Sequence, residues 1–205
     1  IKAFDIKGKL ICHCSGAMTS NIFSGVTEAG AFGYSIHPMY AISSKTKSYR
    51  EMQKCFFTVE GDEEWGNKIC RFIRLLGNDC VLLSTENKTK YHAAAVFASN
   101  LVNGLYGSAV SLLEDCGFEK KQAEQALVPL FMGNASHIAE DGPVAGLTGP
   151  IERNDTTTVK KHLNVLDANE KHIYISVSGA VLALAEQKYP DRDYSEMKKI
   201  LSGQE

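Results

Sequence analysis

The sequence predicts an α/β region over residues 1–85 followed by an all-α region over residues 86–205. Two observations carry that fold class. Up to Ser84, short apolar and β-branched runs alternate with stretches of helical periodicity, the mark of a layered sheet-and-helix arrangement. Beyond Ser84 the strand-like runs stop and only helical patterns remain, which sets a boundary near residue 85.

The first strand candidate is the apolar run Leu10-Ile-Cys-His-Cys14. Ser15-Gly-Ala follows as a turn, and Thr19 to Ala29 reads as an amphipathic helix capped by Thr19 or Ser20 and ended by Gly30. Phe32 to Ile36 is the next strand, stopped by Pro38, and Cys55 to Val59 is a third, rich in aromatic and β-branched residues. Asp62-Glu-Glu opens a helix with acids in the first turn, where the helix dipole favours them. Trp65, Ile69, Phe72, Ile73 and Leu76 recur there at helical spacing, and Gly77 ends it. Cys80-Val-Leu-Leu83 is the fourth strand. Residues 88–117 then read as one long helix, and a second runs from about Glu119 to Ala139. The segment Asp141 to Pro150 is dense in turn formers. Asp155 or Thr156 caps a helix from Thr157 to Leu166, another spans about Lys171 to Gln187, and a short one lies beyond Pro190.

At 205 residues, 44% of them hydrophobic, the chain is long enough to bury a core. Its 22 basic and 24 acidic side chains give a net charge of −2, without the basic stripe of a nucleic-acid-binding protein. No uninterrupted run of 18 apolar residues and no signal-peptide pattern are found, so a cytoplasmic protein without a membrane partner is expected. The six cysteines, Cys12, Cys14, Cys55, Cys70, Cys80 and Cys116, have no CxxC spacing and read as buried free thiols of a reducing compartment. Cys12, His13 and Cys14 alternate on a strand and cannot converge on one ion, so no metal is expected.

The long helix beginning near residue 88 carries the clearest chemical signal. At 100° per residue, His92, Ser99 and Asn103 fall within about 20° of one direction, with Asn100 roughly 80° away. Ala94, Leu101 and Leu105 lie on the opposite side. A polar stripe on an otherwise apolar helix is satisfied by a neighbouring helix, by water or by a ligand. For a single residue the first is the commoner case, and several on one face favour a cleft.

Four motifs occur in order: His13-Cys-Ser-Gly-Ala17, Gly33-Tyr-Ser-Ile-His-Pro-Met39, Tyr91-His-Ala-Ala-Ala95 with Asn100, and Leu147-Thr-Gly-Pro-Ile151 with Arg153 and Asp155. Together they resemble the DUF2520 family of NAD(P)-dependent oxidoreductases, a Rossmann-like domain followed by a helical domain. That family is itself similar to pyrroline-carboxylate reductases, hydroxyisobutyrate dehydrogenases and 6-phosphogluconate dehydrogenases. The resemblance implies that residues 1–85 are the C-terminal part of a Rossmann-like domain and residues 86–205 the DUF2520-like helical domain. The chain departs from the family in one respect: neither GxGxxG nor a Walker-type glycine-rich loop is present. The resemblance therefore implies that residue 1 falls partway through the Rossmann-like domain and that the phosphate-binding turn lies outside this sequence.

The resemblance implies a site between the two domains. Ser15 and Gly16, in the turn after a strand, and His37 with Pro38, at the end of the next, are assigned to the cofactor side. A histidine such as His37 also suits proton donation to a carbonyl, and the alternative for both segments is a plain turn or strand cap. His92, assisted by Asn100 and Ser99, is the preferred acid–base group. Asn103, Thr148, Gly149 and Arg153 are assigned to the substrate, Arg153 either clamping a carboxylate or pairing with Glu152 or Asp155. His137, His162 and His172 read as helix-surface residues.

The expected activity is hydride transfer between NADP or NAD and a small carbonyl, imine or hydroxy substrate, by a homodimer joined through its helical domain. The competing expectation is a non-catalytic binding, regulatory or dimerisation protein that lacks the dinucleotide phosphate loop.

Overall fold

The computed structural model describes residues 4–42, 44, 46 and 48–203. The chain divides into two compact units, Ile1–Leu105 and Tyr106–Glu205.

The first unit holds a four-stranded sheet in the order β1 (Leu10–His13), β2 (Phe32–Met39), β3 (Phe56–Gly61), β4 (Cys80–Leu82). β1 pairs parallel with β2, β2 antiparallel with β3, and β3 parallel with β4. Helix α1 (Glu63–Leu75) connects β3 to β4 and covers one face. Asp62 caps it by accepting from the backbone N–H groups of Glu64 and Trp65, worth about 1 kcal/mol. Gly66 lets α1 approach β4 closely, since a Cβ there would lie 2.5 Å from a Leu82 methyl. Tyr34, Val59, Cys70, Ile73 and Cys80 form the core beneath it.

Several expectations are corrected here. Thr19 to Ala29 is a single 3-10 turn, Ser20–Ile22, followed by turns rather than an α-helix. Gly25 sits at φ +77, and the Ser20 side chain and backbone are both taken by Glu60, so tertiary bonds replace helical ones. β2 runs through Pro38 instead of stopping before it. β1 pairs with β2 only as far as Ser35, so the missing N–H of Pro38 interrupts no ladder on that edge. Phe72 and Leu76 of the helical pattern are exposed, while Cys70 and Ile73 are the buried positions. Only Cys55, Cys70 and Cys80 are buried, whereas Cys12, Cys14 and Cys116 are exposed, and all six are free thiols.

The predicted single helix over 88–117 is two, α2 (Lys88–Ala98) and α3 (Asn100–Asp115), and the division between units falls within α3. Ser99 breaks the helix at φ −132, ψ −76, with its hydroxyl bonded back to the Ala95 carbonyl at 2.6 Å. The stretch Thr85–Asp115 is, by length and composition, apolar enough to cross a membrane, with a mean hydropathy of 1.3 in its most apolar window. Ser99, Asn100 and Asn103 interrupt the apolar run without lowering that average enough, which is why a search for uninterrupted runs misses it. The break at Ser99 leaves helices of 11 and 16 residues, each shorter than the roughly 20 residues of a span.

The second unit continues with α4 (Lys120–Ala145), α5 (Thr156–Val165), α6 (Ala168–Lys188) and α7 (Ser195–Ser202). α4 extends into the turn-rich segment, kinking where Gly142 takes φ +79 ahead of Pro143. Asp155 caps α5 and Asp167 caps α6. The core is apolar: Ile151, Val159, Leu182, Ala185, Met197 and Leu201, with the Tyr194 ring. Each large side chain buried there contributes about 1.5–3 kcal/mol.

Candidate functional site

Strand alternation places Ser35 and His37 on one face of β2, and the antiparallel register sets them opposite Glu60 and Thr58 of β3. Lys88, Tyr91 and His92 share one face of α2 by their i, i+3, i+4 spacing. These two faces meet. Lys88 is fully buried, and its ammonium donates to the Ser35 hydroxyl at 2.7 Å. Ser35 in turn donates to the Ser15 carbonyl at 2.9 Å, tying the turn after β1 to the sheet. Glu60, also fully buried, accepts from the Ser20 N–H at 2.8 Å, the Ser20 hydroxyl at 2.9 Å and the Thr85 hydroxyl at 2.8 Å. Burial lowers the Lys88 pKa, and the Glu60 charge opposes that shift. Two buried charged groups and their partners thus fix two connecting segments, β1–β2 and β4–α2, around the end of the sheet.

Beside this network His37 Nδ1 lies 2.6 Å from the Tyr91 hydroxyl, with the rings edge to face. Burial, then the Lys88 and His92 charges, hold His37 below its ordinary value. Burial raises Tyr91. Gly16 is buried against both imidazoles: a Cβ there would lie 2.9 Å from His37 Cε1 and Nε2 and 3.1 Å from His92 Cδ2. His13 holds the same turn from below. Its Nδ1 accepts from the Ser15 N–H at 3.1 Å, which leaves Nε2 to donate to the Thr19 carbonyl at 3.1 Å.

A cavity of about 650 Å³ opens beside His37 and His92, lined further by Met39, Tyr40 and Ile42, by alanines of α2, and by Ser99, Asn100 and Asn103. Five predicted residues, His37, His92, Ser99, Asn100 and Asn103, are therefore brought to one pocket. Ala94, placed on the opposite side of a continuous helix by periodicity, lines it as well, so the pocket reaches around more than one face of α2. Ser99 also bonds Asn100 Oδ1 at 3.0 Å, and Asn103 Nδ2 donates to the Ser99 carbonyl at 3.4 Å. Pro38 is buried in β2, and Ser15 and Gly16 form the turn beneath the histidines.

Thr148, Gly149 and Arg153 belong to the second unit. Their loop is anchored by Lys188, which donates to the Ala145 and Leu147 carbonyls, and by Arg192 and Tyr194, which donate to the Glu152 carbonyl. The Glu152 carboxylate lies 3.7 Å from the Lys188 ammonium, and Asp155 caps α5. The Arg153 side chain is exposed and makes no ion pair with either among the described residues. His162, read as an ordinary surface residue, bonds the Tyr174 hydroxyl at 2.9 Å.

Sequence reasoning missed Lys88, Ser35, Glu60 and Tyr91. The available signal was the Lys88, Tyr91, His92 spacing, which puts three polar side chains on the first turns of a helix whose next residues are alanines. Ser35 and Glu60 carry no such signal, because their pairing depends on sheet register.

The pyrophosphate of a dinucleotide does not fit the turn after β1. That turn leads into a 3-10 helix, and the Ser15 hydroxyl already accepts from the N–H groups of Ala17 and Met18.

The sequence matches the DUF2520 family model, a domain of unknown function, over residues 55–181, more than half of the chain. Among solved structures, protein TM1727 from Thermotoga maritima is similar at a TM-score of 0.73 and 26% identity, covering 88% of this chain and 71% of that one. The "putative NADP oxidoreductase BF3122" from Bacteroides fragilis is similar at a TM-score of 0.61 and 22% identity, covering 90% of this chain and 68% of that one. No curated protein matches the chain. The likeness shows the fold, a Rossmann-like sheet region followed by helices.

Proposed function

The chain belongs to the DUF2520 family, and from that premise we propose that its polar pocket is the substrate site of an oxidoreductase acting on a small carbonyl, imine or hydroxy compound. One observation carries this reading: two imidazoles close on a single buried glycine at the mouth of a pocket otherwise lined by amides, a hydroxyl and apolar groups. A nicotinamide dinucleotide, NADP or NAD, would supply or accept the hydride. The residues of this chain bind and orient the substrate. His92 and His37 offer acid–base groups to its oxygen or nitrogen, and Ser99, Asn100 and Asn103 hydrogen-bond its remaining polar groups. Apolar Met39 and Ile42 restrict water.

The test is NADPH oxidation by the product of the complete reading frame, against a panel of small aldehydes, keto acids and cyclic imines. We expect turnover with at least one class and a loss of about 100-fold or more in His92→Ala. Unchanged turnover in His92→Ala overturns the role of His92. NADPH binding and turnover absent with every class would favour the binding-protein reading.

The same premise supports a homodimer. Along α4 only Ala123 is buried, while Val128, Leu130, Phe131, Met132 and Ile138 are exposed in the single chain. Sedimentation at micromolar concentration is expected to give a dimer that Leu130→Glu weakens, and a monomer refutes it.

A further inference from the structure

We propose that Tyr91 is a positioning residue that holds His37 as the neutral tautomer with its proton on Nε2, so that His37 presents an N–H donor to the oxygen or nitrogen of the substrate. The last clause rests on the function proposed above, whereas the tautomer assignment rests on the contacts and charges around His37 and needs no reaction.

A neutral imidazole has one donor and one acceptor nitrogen, and a partner that donates to one fixes the proton on the other. Tyr91 lies 2.6 Å from His37 Nδ1. Its phenol is held protonated by burial, so it has an O–H to give. Behind it stands Thr58, directly opposite His37 in the β2–β3 register. Among the described residues the buried Thr58 hydroxyl has no hydrogen-bond partner. Its proton can turn toward the phenol oxygen, which leaves the phenol's own proton for Nδ1.

The surrounding charges favour the neutral ring. From α2, the Lys88 ammonium sits 5.5 Å from the centre of the Tyr91 ring, and His92 is the other titratable group facing His37. Lys88 is itself committed to Ser35, and Glu60 lies farther along β3, so among the described residues no carboxylate offsets these charges at His37. The turn after β1 contributes Ser15 and Gly16, which carry no charge. His37 Nε2 lies on the side toward Gly16, and the ring lines the cavity. Gly16 allows that approach, because any Cβ would press on the Nε2 edge. A neutral Nε2–H there is a donor that needs no proton from solvent, and the same ring made cationic would add a positive charge near the buried Lys88 ammonium.

The test uses the full 205-residue chain with ¹⁵N-labelled histidine. Two-bond ¹H–¹⁵N correlations distinguish a protonated ring nitrogen from an unprotonated one, and His37→Gln assigns the signals. We expect an unprotonated Nδ1 and a protonated Nε2 in the parent chain near neutral pH. In Tyr91→Phe we expect a mixture of tautomers and a His37 titration midpoint moved upward, because the bond to the neutral form is gone. Thr58→Val should move both in the same direction by less, which keeps the test open if Tyr91→Phe misfolds. A parent chain protonated at Nδ1, or variants with the parent's tautomer and midpoint, overturns the proposal. The expected tautomer, with turnover lacking in the product of the complete reading frame, counts against the proposed reaction and leaves the Tyr91 assignment intact.

Discussion

The two units bury different kinds of group. At the end of the sheet in the first unit, the fully buried side chains include Lys88, Glu60, Ser35 and Thr58. In the second unit the corresponding interior is Val159, Ala185 and Met197, with Leu182 and Ile151 around them. Apolar burial stabilises in proportion to area and tolerates small shifts. A buried charged group contributes little net stability over an apolar replacement, yet its partners are left unsatisfied when it is removed. The first arrangement defines positions and the second holds a domain together. The pocket with its two histidines lies beside the charged network, where small displacements change chemistry.

The contrast breaks most sharply at Lys88. Replacing it by methionine keeps the volume but leaves the buried Ser35 hydroxyl without its donor, a cost of about 1–3 kcal/mol. Hydrogen exchange at the β2 and β3 amides should accelerate while that of α5 and α7 stays as it was. Equal exchange in both chains would show that the network is dispensable. Met197→Ala is the mirror experiment: a cavity in the apolar core of the second unit should cost about 2–5 kcal/mol, read by exchange in α6 and α7. If β2 and β3 loosened as much, the separate characters of the two interiors would be lost.

Gly16→Ala probes position rather than stability. The added methyl must push His37 away, since it would lie 2.9 Å from Cε1 and Nε2. A shift of that kind is expected to reduce turnover about 100-fold with the melting temperature little changed. Full turnover would separate His37 from the reaction.

Acid gives the smallest and most graded difference. The unfolded chain protonates histidine near 6.5, whereas folded His37 does so only at lower pH because it is buried near Lys88 and His92. Its contribution is therefore complete above pH 6.5 and lost as pH falls through the folded value. In the second unit Asp155 and Asp193 are lowered from 3.8 by the hydroxyls and backbone of Thr158 and Ser195, so their contributions fade only in stronger acid. Between these ranges, exchange should rise in the first unit before the second, and His37→Gln should remove the earlier step. At the alkaline end Tyr34, pushed up to about 12 by burial and then by Asp62 and Glu64, contributes below pH 10 and loses that contribution as pH climbs toward 12. Simultaneous loosening of both units on acidification would contradict the comparison.

Local patterning makes the strands, α1 and the helices after Asp155 legible, because each bears its own cap, period or breaker. Asp62, Asp155 and Gly77 act where they stand in the sequence. His92, Ser99 and Asn103 are legible for the same reason, as helical spacing puts them on one stripe, with Asn100 to its side. The segment from Thr19 to Ala29 is not legible as turns because Ser20 at its start is held by Glu60, forty residues away, and no local rule reports that. The break at Ser99 is hidden because a serine inside an alanine-rich helix is ordinary until its hydroxyl folds back on the preceding turn.

The sequence by itself determined the order of elements, the change from mixed to all-helical structure, the family, and the polar stripe of α2, since all of these are set by neighbours within a few turns or strands. Only the tertiary structure decided which polar groups meet. Sheet register put Ser35 opposite Glu60 and His37 opposite Thr58, and the docking of α2 brought Lys88 and Tyr91 onto them. The contacts of α2 join residues more than fifty positions apart. They are fixed by the need to give the buried Lys88, Glu60 and Ser35 their partners at once, a condition on the whole packed unit that no local stretch of the chain carries.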